Sequence, residues 1–256
     1  MNSLAARRQA GPALGPALFL LALLVPASLM SGCRQQSVWQ DLEGVVLETG
    51  YHITLNGDLQ DEGHYLLLVA AIQGELASLE SEFAALHGLL LSSLPLRDTR
   101  SAEFPAPLIE ALREVQQARA VDRLDSVLAE FGFEHAMIEL GGVVRTRGSG
   151  GRQPWRLALG SGGLSEALEP SLMLSDAALV TRLALGQAGR HATGEGRLMA
   201  VSVVAPSAEL ADRQARKLLG AGMTEDAMEQ AARLVVLTPQ GIEIHYGAAL
   251  EPLLDR

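Results

Sequence analysis

Residues 203–222, VVAPSAELADRQARKLLGAG, place one acid, Asp212, four positions before Arg216 on a predicted helix that follows a strand and a turn. A carboxylate there has two uses. It can give oxygens to a divalent cation, or it can pair with a base one turn further on, a contact worth about 0.3–0.5 kcal/mol when exposed. A guanidinium has no lone pair for a metal, so Arg216 opposes the first use and favours the second. Arg145 and Arg147 lie one strand step apart and share a face, where they hold an anion or line a solvated edge. Gly141 and Gly142 either let a backbone approach a phosphate or simply bend a strand. Asp122, beside Arg123, reads as a helix-orienting or solvated residue, and Thr181 falls at a predicted strand end, where threonine is common on propensity alone.

Other chemistries are missing. The chain has no Walker lysine loop, no His-Glu-x-x-His, no Gly-x-Ser-x-Gly and no spaced cysteine pair. The six histidines are scattered, with His52 and His245 in predicted strands and His64 and His87 on a long helix. Only His191, in the glycine-rich loop GQAGRHATGEGR, stands out.

The elements that must position these residues follow from periodicity. VVLETGYHITLNG reads as a strand ending in an Asn-Gly turn, after a polar tether. Leu68, Ile72, Leu76, Leu79, Phe83, Leu86 and Leu90 recur at helical spacing and make one apolar face. A proline-broken connection over 92–107 separates that helix from a second one, about Leu108 to Phe131. Its inward residues are Leu112, Val115, Leu124, Val127, Leu128 and Phe131, and Gly132 terminates it. HAMIELGGVVRTRG and PWRLALG suggest one antiparallel pair, LMLSDAALVT and LMAVSVVAP another, and RLVVLTPQGIEIHY a hairpin, with a short helix from Thr224 before it. Helices and strands are mixed without regular alternation. The expected class is therefore α+β, a mixed and largely antiparallel sheet flanked by helices.

At the N-terminus, Arg7 and Arg8 precede FLLALLVPASLM and then SGC, the order of a lipoprotein signal peptide over residues 1–32. Cys33, the only cysteine, is then the lipidated residue of a tether 33–42, and the folded domain runs 43–256. This predicts a lipid anchor on the periplasmic side of a bacterial membrane, and Arg34 favours the outer membrane. Formal net charge is −10, or −12 once Arg7 and Arg8 are removed, which argues against a nucleic-acid partner.

Four stretches in one order, AVDRLDSVLAEFGFEHAMIELGGVVRTRG, PWRLAL, SDAALVT and VSVVAPSAELADRQARKLLGAG, resemble the FAD:protein FMN transferase family, once called thiamine-biosynthesis lipoproteins. The resemblance runs from about Ala120 to Tyr246, with a weaker echo in LETGYHITL. It implies FAD and magnesium as cofactors and transfer of FMN to a threonine or serine of a target protein, here a periplasm-facing redox protein. Site residues carried over are Gln117, Gly141, Gly142, Thr181 and His191 for the flavin nucleotide and Asp212 for the metal; no side chain is assigned a catalytic role. The departures are specific. Arg216 stands where the family has a second metal-binding threonine, Gln117 and Ala118 replace Lys-Gly, and Val180 to Leu183 replace an Ala-Thr-Ser-Gly turn. The family's long insert is missing between Leu91 and Leu108, and the His191 loop is short. Two further readings therefore stay open: a non-catalytic flavin-binding or protein-interaction lipoprotein on the same scaffold, and a structural envelope lipoprotein.

Overall fold

The first described segment folds back on itself. In a computed structural model that describes residues 39–57, 62–93, 106–159, 170–184 and 196–255, strand β1 (Trp39–Val46) already begins inside the stretch expected to be tether. It turns at Leu47 and Glu48 into β2 (Thr49–Asn56), so the expected single strand is a hairpin. Both turn residues have positive φ, 51° and 60°, the combination that a two-residue turn of matching twist requires and that glycine or asparagine usually supplies. Packing holds it instead: the Leu47 N–H donates to Glu80 Oε1 at 3.3 Å, and Glu48 pairs with Arg113 at 2.8 Å.

The double glycine likewise makes a hairpin rather than a bend. β3 (His135–Leu140) and β4 (Val143–Arg147) pair around Gly141 and Gly142. β5 (Trp155–Ala158), expected as their partner, instead pairs with β6 (Ser171–Leu174) in a separate sheet. LMLSDAALVT is also divided, because Asp176 at φ 52° turns the chain between β6 and β7 (Ala178–Leu183). β7 pairs with β8 (Arg197–Ala205) as expected, and β9 (Ala232–Thr238) with β10 (Gly241–Tyr246) forms the expected hairpin. The eight-stranded sheet has the order β1-β2-β3-β4-β7-β8-β9-β10, and a three-stranded sheet is completed by β11 (Leu254–Asp255) in the order β11-β6-β5. Every pairing is antiparallel.

Strand alternation sorts side chains between two cores. Ile138, Val143, Val180 and Val203 pack with the helices, while their neighbours Met137, Val144, Leu179 and Val204 pack with Leu157, Leu172 and Leu174 of the small sheet. The large sheet is thus the middle of three layers, and the α+β expectation holds.

Helix α1 (Glu62–Ser93) buries Leu68, Ile72, Leu76 and Leu79 as its spacing predicts, but Leu86 is exposed. At 1.5 Å per residue this helix is roughly 48 Å long, against about 26 Å for an eight-residue strand, so its C-terminal turns outrun the sheet that could cover them. Helix α2 (Ala106–Glu130) exposes Val115 and turns Gln117, Ala118 and Val121 inward instead. It ends as predicted: Gly132 takes φ 80°, its N–H bonds to Ala129 O at 3.0 Å, and the Phe133 N–H reaches Leu128 O at 2.9 Å. The connection around 92–107 lies largely outside the described residues, as do Cys33, Arg34 and His191.

Helix α3 (Ala208–Ala221) carries Asp212, and two devices fix its start. Ser207 Oγ accepts the Leu210 N–H at 3.3 Å, and Asp122 of α2 accepts the Ala208 and Glu209 N–H groups at 2.8 and 2.9 Å. Asp122 is therefore a helix-orienting residue, placed against the positive end of the α3 dipole. Asp122→Ala is expected to lower unfolding free energy by about 1–2 kcal/mol in urea titration, because two helix-terminal donors lose a charged acceptor. Asp122→Asn, which keeps one side-chain oxygen, is expected to lose less.

Candidate functional site

At the end of the large sheet where β1 turns into β2, the sequence brings α2, α3, the β3–β4 turn and the last residues of β7 together. The β7 alternation that buries Ala178 and Val180 among the helices sends Arg182 to the same face, where it is 2% exposed. A guanidinium so deep must be neutralised. Its Nε donates to Asp212 Oδ1 at 2.9 Å, one terminal nitrogen donates to Glu114 O at 2.9 Å, and the other reaches Thr181 O at 3.4 Å. Asp212 is itself buried at 4% exposure, and its second oxygen, Oδ2, is bonded by Arg216. Arg216 also donates to Ala111 O at 3.2 Å and lies 3.5 Å from Glu114 Oε2. The acid of the opening stretch is clamped between two arginines, one of them buried, rather than joined to one on a solvated helix face.

Burial governs the titration of this cluster. It raises the pKa of Glu114 above the ordinary glutamate value although Arg182 and Arg216 pull it down, and Glu110 adds to the rise. Burial also lowers the pKa of Arg182, against the fields of Glu114 and Glu110. Arg216 is lowered by its own burial and then by Arg182, with Glu114 opposing.

The other predicted residues gather close by, but each is engaged with the chain itself. Gly141 has φ 60°, and a Cβ there would come 2.9 Å from Gln117 Oε1, so the Gln117 amide covers the turn. Its nitrogen donates to Thr49 Oγ1 at 3.0 Å. A Cβ on Gly142 would lie 2.5 Å from Thr181 O, and the Thr181 N–H donates to Gly142 O at 2.7 Å, so this glycine admits the neighbouring strand. Thr181 sends its hydroxyl to Ser202 Oγ at 2.9 Å, on the strand face opposite Arg182 and Asp212. Arg145 and Arg147 do hold an anion, the chain's own Asp125, at 3.3 and 2.9 Å.

The residues present do not fit a magnesium ion at Asp212. Both carboxylate oxygens are taken by guanidinium groups, the Thr181 hydroxyl faces the other way, and among the described residues no group of three or more His, Cys, Asp or Glu side chains could hold a metal. Sequence reasoning missed Arg182 as a partner and Glu114 altogether. The signal for Arg182 was present: counting by twos from Ala178 through Val180 puts it on the buried face.

Two outcomes are expected here. Arg182→Met leaves Asp212 half-paired in a buried setting and should cost about 3–5 kcal/mol in chemical denaturation, with much of the loss recovered by also introducing Asp212→Leu. For Glu114, a folded-state pKa above the unfolded value means that the folded state binds more protons between the two. Stability is then highest below the unfolded value and declines as pH rises through the folded one. Glu114→Gln should flatten that decline in melting temperatures measured against pH.

A family model described as the ApbE family matches residues 115–182, which span Gln117, both glycines, Thr181 and Arg182. Among solved structures, the flavin transferase ApbE from Vibrio cholerae matches with TM-score 0.55 at 18% identity, covering 85% of this chain and 100% of that one. A histidine-to-glycine mutant of that protein gives TM-score 0.60 at the same identity and coverage. The apo flavinyl transferase ApbE from Pseudomonas stutzeri gives 0.57 at 14% identity, covering 86% of this chain and 99% of that one. The apbe protein from Thermotoga maritima gives 0.57 at 13%, covering 86% and 100%. No curated protein matches the chain. At these identities the likeness establishes the fold.

Proposed function

We propose that the chain is a member of the ApbE family, whose model matches residues 115–182, and that it is an FAD:protein FMN transferase-like lipoprotein in which metal-dependent transfer is weak or lost. One observation carries the proposal: both oxygens of Asp212 are committed to Arg182 and Arg216. Splitting the FAD pyrophosphate builds negative charge on phosphate oxygens, and a divalent ion supplies the neutralising charge when bound. Here the acid that would hold such an ion holds two fixed cations instead, and a guanidinium has no lone pair with which to ligate a metal.

The same clamp favours a second reading, a non-catalytic flavin-binding or protein-interaction module on the transferase scaffold. In either reading Cys33 carries the lipid, the protein faces the periplasm, with Arg34 favouring the outer membrane, and the partner is an envelope redox protein.

The test mixes the detergent-solubilised full chain with FAD, magnesium and a target domain bearing an acceptor threonine, and follows the target by mass. The expected result is no FMN adduct, or one forming at least about a thousandfold more slowly than with the Vibrio cholerae transferase, the scale of lost electrostatic stabilisation at a charge-building step. An adduct at a comparable rate overturns the proposal. In calorimetry, wild type is expected not to bind magnesium at Asp212. Arg216→Thr alone should not restore binding, because Arg182 still occupies Oδ1; freeing both oxygens requires Arg182→Ser as well. Tight magnesium binding by wild type that Asp212→Asn abolishes would contradict this reading.

A further inference from the structure

We propose that the free edge of β1 docks an extended, basic segment of a partner protein, which adds as a strand and seats one apolar side chain against Trp39 and Trp155. A cavity of about 400 Å³ opens at the far end of β1 from the Asp212 cluster, with Trp39, Thr54, Pro154, Trp155, Arg156 and Asp255 in its walls. Both tryptophans of the chain are there. Their rings meet edge to face with centroids 5.3 Å apart, and Trp155 is anchored by its indole N–H on Arg147 O at 3.1 Å. Trp39 is 38% exposed, a large apolar surface left partly open at the mouth of a hollow with room for one side chain.

The edge beside it is unpaired. β1 ends the order of the large sheet, and among the described residues no strand bonds to its outer side. That leaves alternate backbone N–H and C=O groups available for strand addition over about 26 Å. The solvent-facing side chains after Trp39 are Asp41 and Glu43, 57% and 74% exposed. Thr54 donates to Asp41 at 2.8 Å and His52 bonds Glu43 at 3.0 Å, which keeps both carboxylates on this face. Acids on an edge deter pairing with a second copy of a chain whose net charge is −10, and they attract a basic segment.

The direction of the edge gives docking a purpose. From Trp39 it runs to Val46 and the Leu47–Glu48 turn, next to Thr49, which Gln117 bonds at the candidate site. A segment seated at the tryptophans would carry its following residues to that site. The proposal rests on the reading of the chain as a protein that engages a target, but its test needs neither FAD nor a divalent ion.

The probe is a labelled peptide of about ten residues, alternating threonine and lysine with a leucine at one end, long enough to cover the strand. Titrated into the full chain in detergent, it is expected to bind saturably and shift tryptophan emission to the blue. The paired substitution Asp41→Lys and Glu43→Lys, both at exposed positions, should weaken binding at least tenfold and let the glutamate counterpart of the peptide bind instead. N-methylation of alternate peptide bonds should abolish binding, and Trp39→Ala should remove the emission shift. Equal binding to the charge-reversed protein, unaltered binding of the N-methylated peptide, or an emission shift given by a soluble oligosaccharide and not by the peptide would each overturn the proposal. Saturable peptide binding together with FMN transfer at the rate of the Vibrio cholerae transferase leaves docking standing and overturns the reading of lost transfer; neither binding nor transfer does the reverse.

Discussion

A guanidinium at 2% exposure cannot be left unpaired, and the far end of the fold is arranged around that requirement. Arg182 comes from β7, the fourth strand from the β10 edge of the large sheet, Asp212 from a helix on the covering layer and the Glu114 carbonyl from another helix. Three elements distant in sequence are thus tied through one side chain. The tie also fixes rotation: α3 can present Asp212 to Arg182 only in the azimuth at which Asp122 caps its first turn. Two acids on two helices and one base on a strand together set where the helical layer sits on the sheet.

Much of this architecture could be read from apolar spacing. Leu68, Ile72, Leu76 and Leu79 announced the buried face of α1, and Gly132 announced the end of α2, because each records a local rule of period or backbone conformation. Hairpins were harder. Leu47–Glu48 interrupts an apolar run without the usual turn composition, and Gly141–Gly142, which has it, also reads as a strand bend, so in each case two strands looked like one. The assignment of β5 and β6 to a second sheet depends on which strand faces Leu179 and Leu250, a long-range matter that no window of sequence contains.

The candidate site divides along the same line. Gln117, Gly141, Gly142, Thr181 and Asp212 do assemble at one end of the sheet. Their partners were not legible, because a side chain's role depends on what faces it. Arg145 and Arg147, which could be read as an anion site or a solvated edge, pair with Asp125; Gly142, which could be read as an approach to a phosphate or a strand bend, admits the carbonyl of Thr181.

The two-arginine clamp on Asp212 has one more consequence. A fold whose buried acid is neutralised by a bound ion has a stability linked by mass action to the free concentration of that ion, and chelators or dilute surroundings loosen it. Guanidinium groups belong to the chain and cannot dissociate into the medium. At this position the countercharge is permanent, so the neutralisation of Asp212 does not rise and fall with the divalent cations around the chain.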